Sequence, residues 1–168
     1  TSTQNLSLPA QEWVVGTATP MGPQDRGQAV GVMWYDGSKT SDEGVKYFAS
    51  SCRQQVVPVE YRDGASNLVW VAAHNQFFGL VAMPQQPGRQ VIVRRLDLPR
   101  PTGEDARMFA TKAPIPQGYH AALLYPELTV APKQSFTNQV YVYAGPKEFQ
   151  TLARIGHQFH NEVDRVMS

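Results

Sequence analysis

His157, His160 and Asp164 stand at positions i, i+3 and i+7, a spacing that would present two imidazoles and a carboxylate from one helix to a metal ion. The same residue types suit the solvated face of an exposed helix, and no second ligand-bearing element accompanies them. His74 lies between two apolar runs, where a hydrogen-bonded core or turn histidine is the simpler role, and His120 is weighed in the same way. Cys52 is the only cysteine, so an internal disulfide and a cysteine zinc cage are excluded and a free, buried thiol is expected. The segment Asp36 to Glu43 alternates oxygen-bearing side chains, but Lys39 inside it departs from calcium-loop spacing. Trp13, Trp34 and Trp70 could form a platform for sugars or bases, yet each falls in an expected strand where an inward ring buries a large apolar area. The chain carries no G-x-S-x-G elbow, P-loop, dinucleotide glycine pattern or H-E-x-x-H. No catalytic, cofactor-binding or metal-ligating residue is assigned, and the chain is read as a non-enzyme that works through contact.

These side chains belong to a chain of 168 residues that is 42% hydrophobic and 17% charged, a composition that folds as one domain with its own core. Lys and Arg number 15 against 14 Asp and Glu, a net charge of +1, so no overall field draws phosphate and nucleic acid is not an expected partner. Arg89, Arg94 and Arg95 flank Val91-Ile92-Val93 and read as the exposed side of a strand. No apolar run approaches the roughly 20 residues that span a bilayer, and the first residues lack a signal-peptide pattern, so this chain taken alone is expected to be soluble.

The elements that must position these residues are mostly strands. Trp13 to Thr17, Ala29 to Tyr35 and Val56 to Arg62 cluster β-branched and aromatic residues between turns at residues 20–23, 36–38 and 63–66. Leu68 to Ala73 and Phe77 to Met83 are continuous apolar runs joined by His74-Asn75-Gln76, the pattern of two strands buried on both faces. Further runs follow at Gln90 to Leu98, Met108 to Thr111, His120 to Tyr125 and Gln139 to Ala144, punctuated by prolines. Many short strands between Pro/Gly turns predict an antiparallel β-sandwich. The end differs: Pro146 suits a first helical position, and Leu152, Gly156, Phe159, Val163 and Val166 recur at spacings of three and four. A helix over 146–166 is predicted, with Phe149, Leu152, Phe159 and Val163 as its docking or contact residues. Gly156 on that stripe predicts close approach of another backbone.

Two stretches carry a family resemblance. Val69-Trp70-Val71-Ala72-Ala73-His74-Asn75-Gln76-Phe77-Phe78-Gly79-Leu80-Val81-Ala82-Met83-Pro84 resembles a "W-V-A, then Q-Y-F, then a proline" stretch in the periplasmic domain of the bacterial membrane protein insertases of the YidC family. Val140 to Glu148, with Gly145-Pro146 and the amphipathic segment after it, is similar to the strand, G-P and helix that lead that domain back to the membrane. The resemblance covers Leu68 to Met167, residues 1–67 being compatible in pattern, and the chain looks like the later part or a shortened version of that domain. It implies a mostly β, galactose mutarotase-like sandwich (a supersandwich) with a C-terminal amphipathic helix. It also implies a non-catalytic periplasmic domain of an inner-membrane insertase and chaperone, with no cofactor. Its implied partners are Sec translocon components, nascent membrane proteins and the rest of the full-length protein in the membrane. The competing reading is a carbohydrate-binding or mutarotase-like sandwich, which would need an exposed aromatic platform beside a polar cleft.

Overall fold

The computed structural model describes residues 3–22, 25, 27–48, 58–108 and 115–167. In chain order it forms β1 (Leu6–Leu8), β2 (Gln11–Ala18), β3 (Gly31–Tyr35), β4 (Thr40–Gly44), the single turn α1 (Val45–Phe48), β5 (Glu60–Asp63), β6 (Trp70–His74), β7 (Phe78–Pro84) and β8 (Gln90–Asp97). The short α2 (Asp105–Met108), β9 (Gln117–Tyr125), β10 (Leu128–Val130), β11 (Val140–Pro146), α3 (Phe149–Phe159) and a 3₁₀ turn (Val163–Met167) complete it. A five-stranded sheet in the order β11-β7-β6-β3-β4 packs on a four-stranded sheet in the order β2-β9-β8-β5, and β1 pairs with β10. The pairings among these strands are antiparallel. The expected β-sandwich with a C-terminal helix is therefore the fold.

Local side chains close the hairpins of the five-stranded sheet. Between β3 and β4 the carboxylate of Asp36 accepts the N–H groups of Ser38 and Lys39, each at 2.8 Å. Between β6 and β7, Asn75 Oδ1 accepts the N–H groups of Phe77 at 3.0 Å and Phe78 at 2.9 Å. Such Asx turns supply the reversal that the flanking alternation needs.

Alternation then sorts the side chains into two cores. Val32, Trp34, Val71, Ala73 and Ala82 face the four-stranded sheet and meet Val91, Val93, Tyr119, Ala121 and Leu123. Met33, Tyr35, Trp70, Ala72, Val81 and Met83 point the other way and are covered by Leu152, Val163 and Val166. β3 and β6 are buried at every position because they form the middle layer of three. The two sheets approach so closely at Gly16 that a β-carbon there would overlap the side chain of Leu80.

Several expectations are corrected. Thr40–Gly44 pairs with β3 as an edge strand, although its polar residues read as a loop, because a partner strand overrides weak β propensity. Met108 ends a helical turn instead of opening a strand. The strand expected from Val56 begins at Glu60 among the described residues, and residues 109–111 and Cys52 lie outside them. Trp13 keeps 37% of its surface exposed, whereas Trp34 and Trp70 are at 1% and 0%. In place of one helix over 146–166, Pro146 ends β11 opposite Phe78. The α-helix runs only from Phe149 to Phe159 and stops where His160 adopts φ 50. Without an N–H to donate, Pro146 is tolerated at a strand end as well as at a helix start.

Candidate functional site

The outer face of the five-stranded sheet and the chain end that covers it form the most elaborated surface of the molecule. Leu152 on α3 is fully buried, as are Val163 and Val166 on the 3₁₀ turn. Phe159 lies half-buried with its ring centroid 4.6 Å from that of Tyr141. Tyr35 and Trp70 stack at 6.0 Å beneath the turn, and the Arg165 guanidinium stands 5.1 Å over the Tyr35 ring, a cation–π contact. The polar ends of this core are satisfied too. Trp70 Nε1–H donates to the carbonyl oxygen of Asn161 at 2.9 Å. Asn161, itself buried, accepts the N–H of Val163 on its Oδ1 at 3.2 Å and donates its own N–H to the Gly156 carbonyl at 3.2 Å.

Gly156 allows this reversal. A β-carbon at that position would stand 3.3 Å from the Val163 nitrogen and 3.0 Å from Asp164 Oδ1, so a side chain would press on the returning backbone. The close approach expected from the sequence is made by the segment that follows the helix.

Of the four contact residues named from periodicity, Leu152, Phe159 and Val163 reach this core, the last from the 3₁₀ turn and not from the helix. Phe149 does not: it is 61% exposed. The helix begins at Phe149, three residues after the Pro146–Phe78 pair at the end of the sheet. It therefore sits at the rim, where Phe77 and Phe78 are also exposed.

At the same rim a polar cluster joins three elements. His74, 4% exposed at the end of β6, has its Nε2 3.0 Å from Asp42 Oδ1 on β4. Its Nδ1 is 3.0 Å from Lys147 Nζ, between β11 and α3. The lysine ammonium donates to Nδ1, so Nε2 carries the proton and donates to the carboxylate. Burial holds the Lys147 ammonium below the usual lysine range, and the Asp42 charge opposes that shift. The Lys147 N–H also donates to the Phe77 carbonyl at 2.7 Å. The cluster fixes where the chain leaves the sheet for the helix. Sequence reading placed His74 in a satisfied core or turn role but missed both partners, which lie 32 and 73 residues away. A lysine directly after the apolar run of β11 was the available signal.

The remaining candidates are apart from this site. His120 Nδ1 is 3.1 Å from Thr17 Oγ1. His157 and His160 are exposed with ring centroids 6.1 Å apart, while Asp164 turns toward Gly156. Asp36 serves its turn, and the N–H donors of Lys39 and Ser38 hold its carboxyl down at about 2. Arg94, the centre of the basic stretch, bonds Glu12 and Glu60 on the outer face of the other sheet. Among the described residues no group of three or more His, Cys, Asp and Glu side chains is arranged to hold a metal ion.

A family model described as the YidC periplasmic domain matches residues 2–164. No curated protein matches the chain.

Proposed function

This chain belongs to the YidC periplasmic domain family, and we propose that it is the non-catalytic periplasmic domain of a bacterial inner-membrane protein insertase. In this reading it assists insertion and folding of membrane proteins through contacts with Sec translocon components or with the nascent client. The observation that carries the proposal is the extent of the family match, which takes in both sheets and α3.

The disposition of polar groups supports a contact role. Two of the four histidines are engaged in structural bonds: His74 with Asp42 and Lys147, His120 with Thr17. No helix among the described residues is long and apolar enough to cross a membrane, so insertion itself falls to other parts of such a protein. The contribution of this domain is orientation. Leu152, Val163 and Val166 lock the chain end onto the sheet, and that lock sets the backbone direction at Met167.

The test is insertion of a membrane-protein client by a full-length insertase carrying Leu152→Asp, in cells depleted of the native protein. Loss of insertion with the altered protein still present at normal level is expected, together with loss of crosslinks from the domain surface to Sec components. Insertion at the unaltered rate, with the helix shown to be undocked, would refute the orienting role.

A further inference from the structure

Four strands form the edges of the two main sheets, and three of them are guarded. β4 carries Asp42 and Glu43. β5 has only four residues, three of them charged. β2 has a bulge between Val14 and Gly16 and carries Glu12 in its ion pair with Arg94. Charges, short length and bulges are the usual means of keeping sheet edges from pairing. Of the edge guards β11 carries only a proline, Pro146 at its last position: its run Val140-Tyr141-Val142-Tyr143-Ala144 is uncharged and regular, and among the described residues it pairs with β7 alone.

The free edge of β11 has a defined hydrogen-bond pattern. Gln139 accepts the Gln85 N–H on its carbonyl and Lys147 donates its N–H to Phe77, in line with the β7–β11 register. Odd-numbered residues therefore face β7, and the N–H and C=O groups of Val140, Val142 and Ala144 point away from the sheet. Water can satisfy these groups one by one, and an extended backbone is the polypeptide element that matches all three donors and three acceptors in one array. Such a backbone needs apolar side chains on both faces, since Val142 is 54% exposed on one side and Tyr141 and Tyr143 line the other.

We propose that the occupant is β11 of a second copy of this chain, paired antiparallel across a two-fold axis through Val142. The segment is nearly palindromic about that residue. In this register Val142 pairs with Val142 of the second copy and Val140 with its Ala144. These are all hydrogen-bonded pairs, so every free group of the edge is satisfied in both copies. Tyr141 then faces Tyr143 of the second copy in the closer, non-hydrogen-bonded pair, which favours aromatic contact. The two five-stranded sheets become one continuous sheet.

The register makes the test specific. With Cys52→Ser as background, Val142→Cys places the two thiol-bearing residues opposite each other with Cα atoms about 5.5 Å apart, within disulfide reach. Ala144→Cys leaves its copies displaced by four positions, about 14 Å along the strand. Oxidation should link the Val142→Cys chain and the Val140→Cys/Ala144→Cys double variant, but not the Ala144→Cys chain. In sedimentation experiments the unaltered chain should dimerise as concentration rises. Val142→Pro removes an outward N–H while sparing the bonds to β7, so it should abolish dimerisation without loss of the thermal transition, and Val142→Lys should do the same. Equal linking at 142 and 144, a chain monomeric at every concentration, or a dimer that survives Val142→Pro overturns the proposal. A monomer whose position 142 instead links to an extended segment of another polypeptide also overturns it.

Discussion

Replacing Leu152 with Ala tests whether the chain end is held by the packing on the outer face of the sheet. Leu152 is at 0% exposure among Trp70, Val81, Met83, Val163 and Val166, and truncating a leucine so placed costs about 2–5 kcal/mol. A loss of about 3 kcal/mol corresponds to a fall in Tm of roughly 6–12 °C in a domain of this size. The helix of 11 residues is too short to persist without its docking surface. Helical circular dichroism should therefore be lost at or before the main transition. The informative comparison is Phe149→Ala, three residues earlier on the same periodic stripe. That side chain is 61% exposed, and its truncation should change stability by about 0.5 kcal/mol or less. Urea and thermal melts of both variants, followed by circular dichroism and tryptophan fluorescence, measure the difference. Equal losses for the two variants, or an unchanged Tm for Leu152→Ala, would refute the placement of the helix.

Gly156→Ala should lower stability by about 1 kcal/mol in a urea melt, because crowding against Val163 and Asp164 exceeds the gain of about 1 kcal/mol in helix propensity. Trp70→Phe should cost about 1–3 kcal/mol by the same measurement, since it leaves the buried Asn161 carbonyl without its indole donor. Acid should destabilise the domain in a defined window. Arg94 holds the Glu12 carboxyl below its ordinary 4.5, and Arg62 and then Arg94 do so for Glu60. A carboxyl lowered in the folded state contributes stability that is present above pH 4.5 and lost as pH falls through the lowered value. Arg94→Met should flatten the stability profile below pH 4.5 in melts recorded across that range.

Periodicity and turn chemistry were enough to place β6, β7, β8, β9 and β11, because strands buried on one or both faces leave an unmistakable apolar pattern and Asx turns are local. The same local signals marked Leu152, Gly156, Phe159 and Val163 as one stripe. They did not reveal that His160 turns left-handed and splits that stripe between a helix and a 3₁₀ turn, since φ at one residue depends on the sheet surface beneath it. They also could not tell Phe149 from Leu152, because helical spacing says which residues share a face and not how far the partner surface extends. Thr40–Gly44 is a strand through its ladder with β3, and Lys147 meets His74 across 73 residues of chain. The sequence by itself determined the alternation, the turns and the family. The layer order, the rim at which the helix starts and the open edge of β11 come from long-range contacts, whose energies appear only once the sheets have closed on each other.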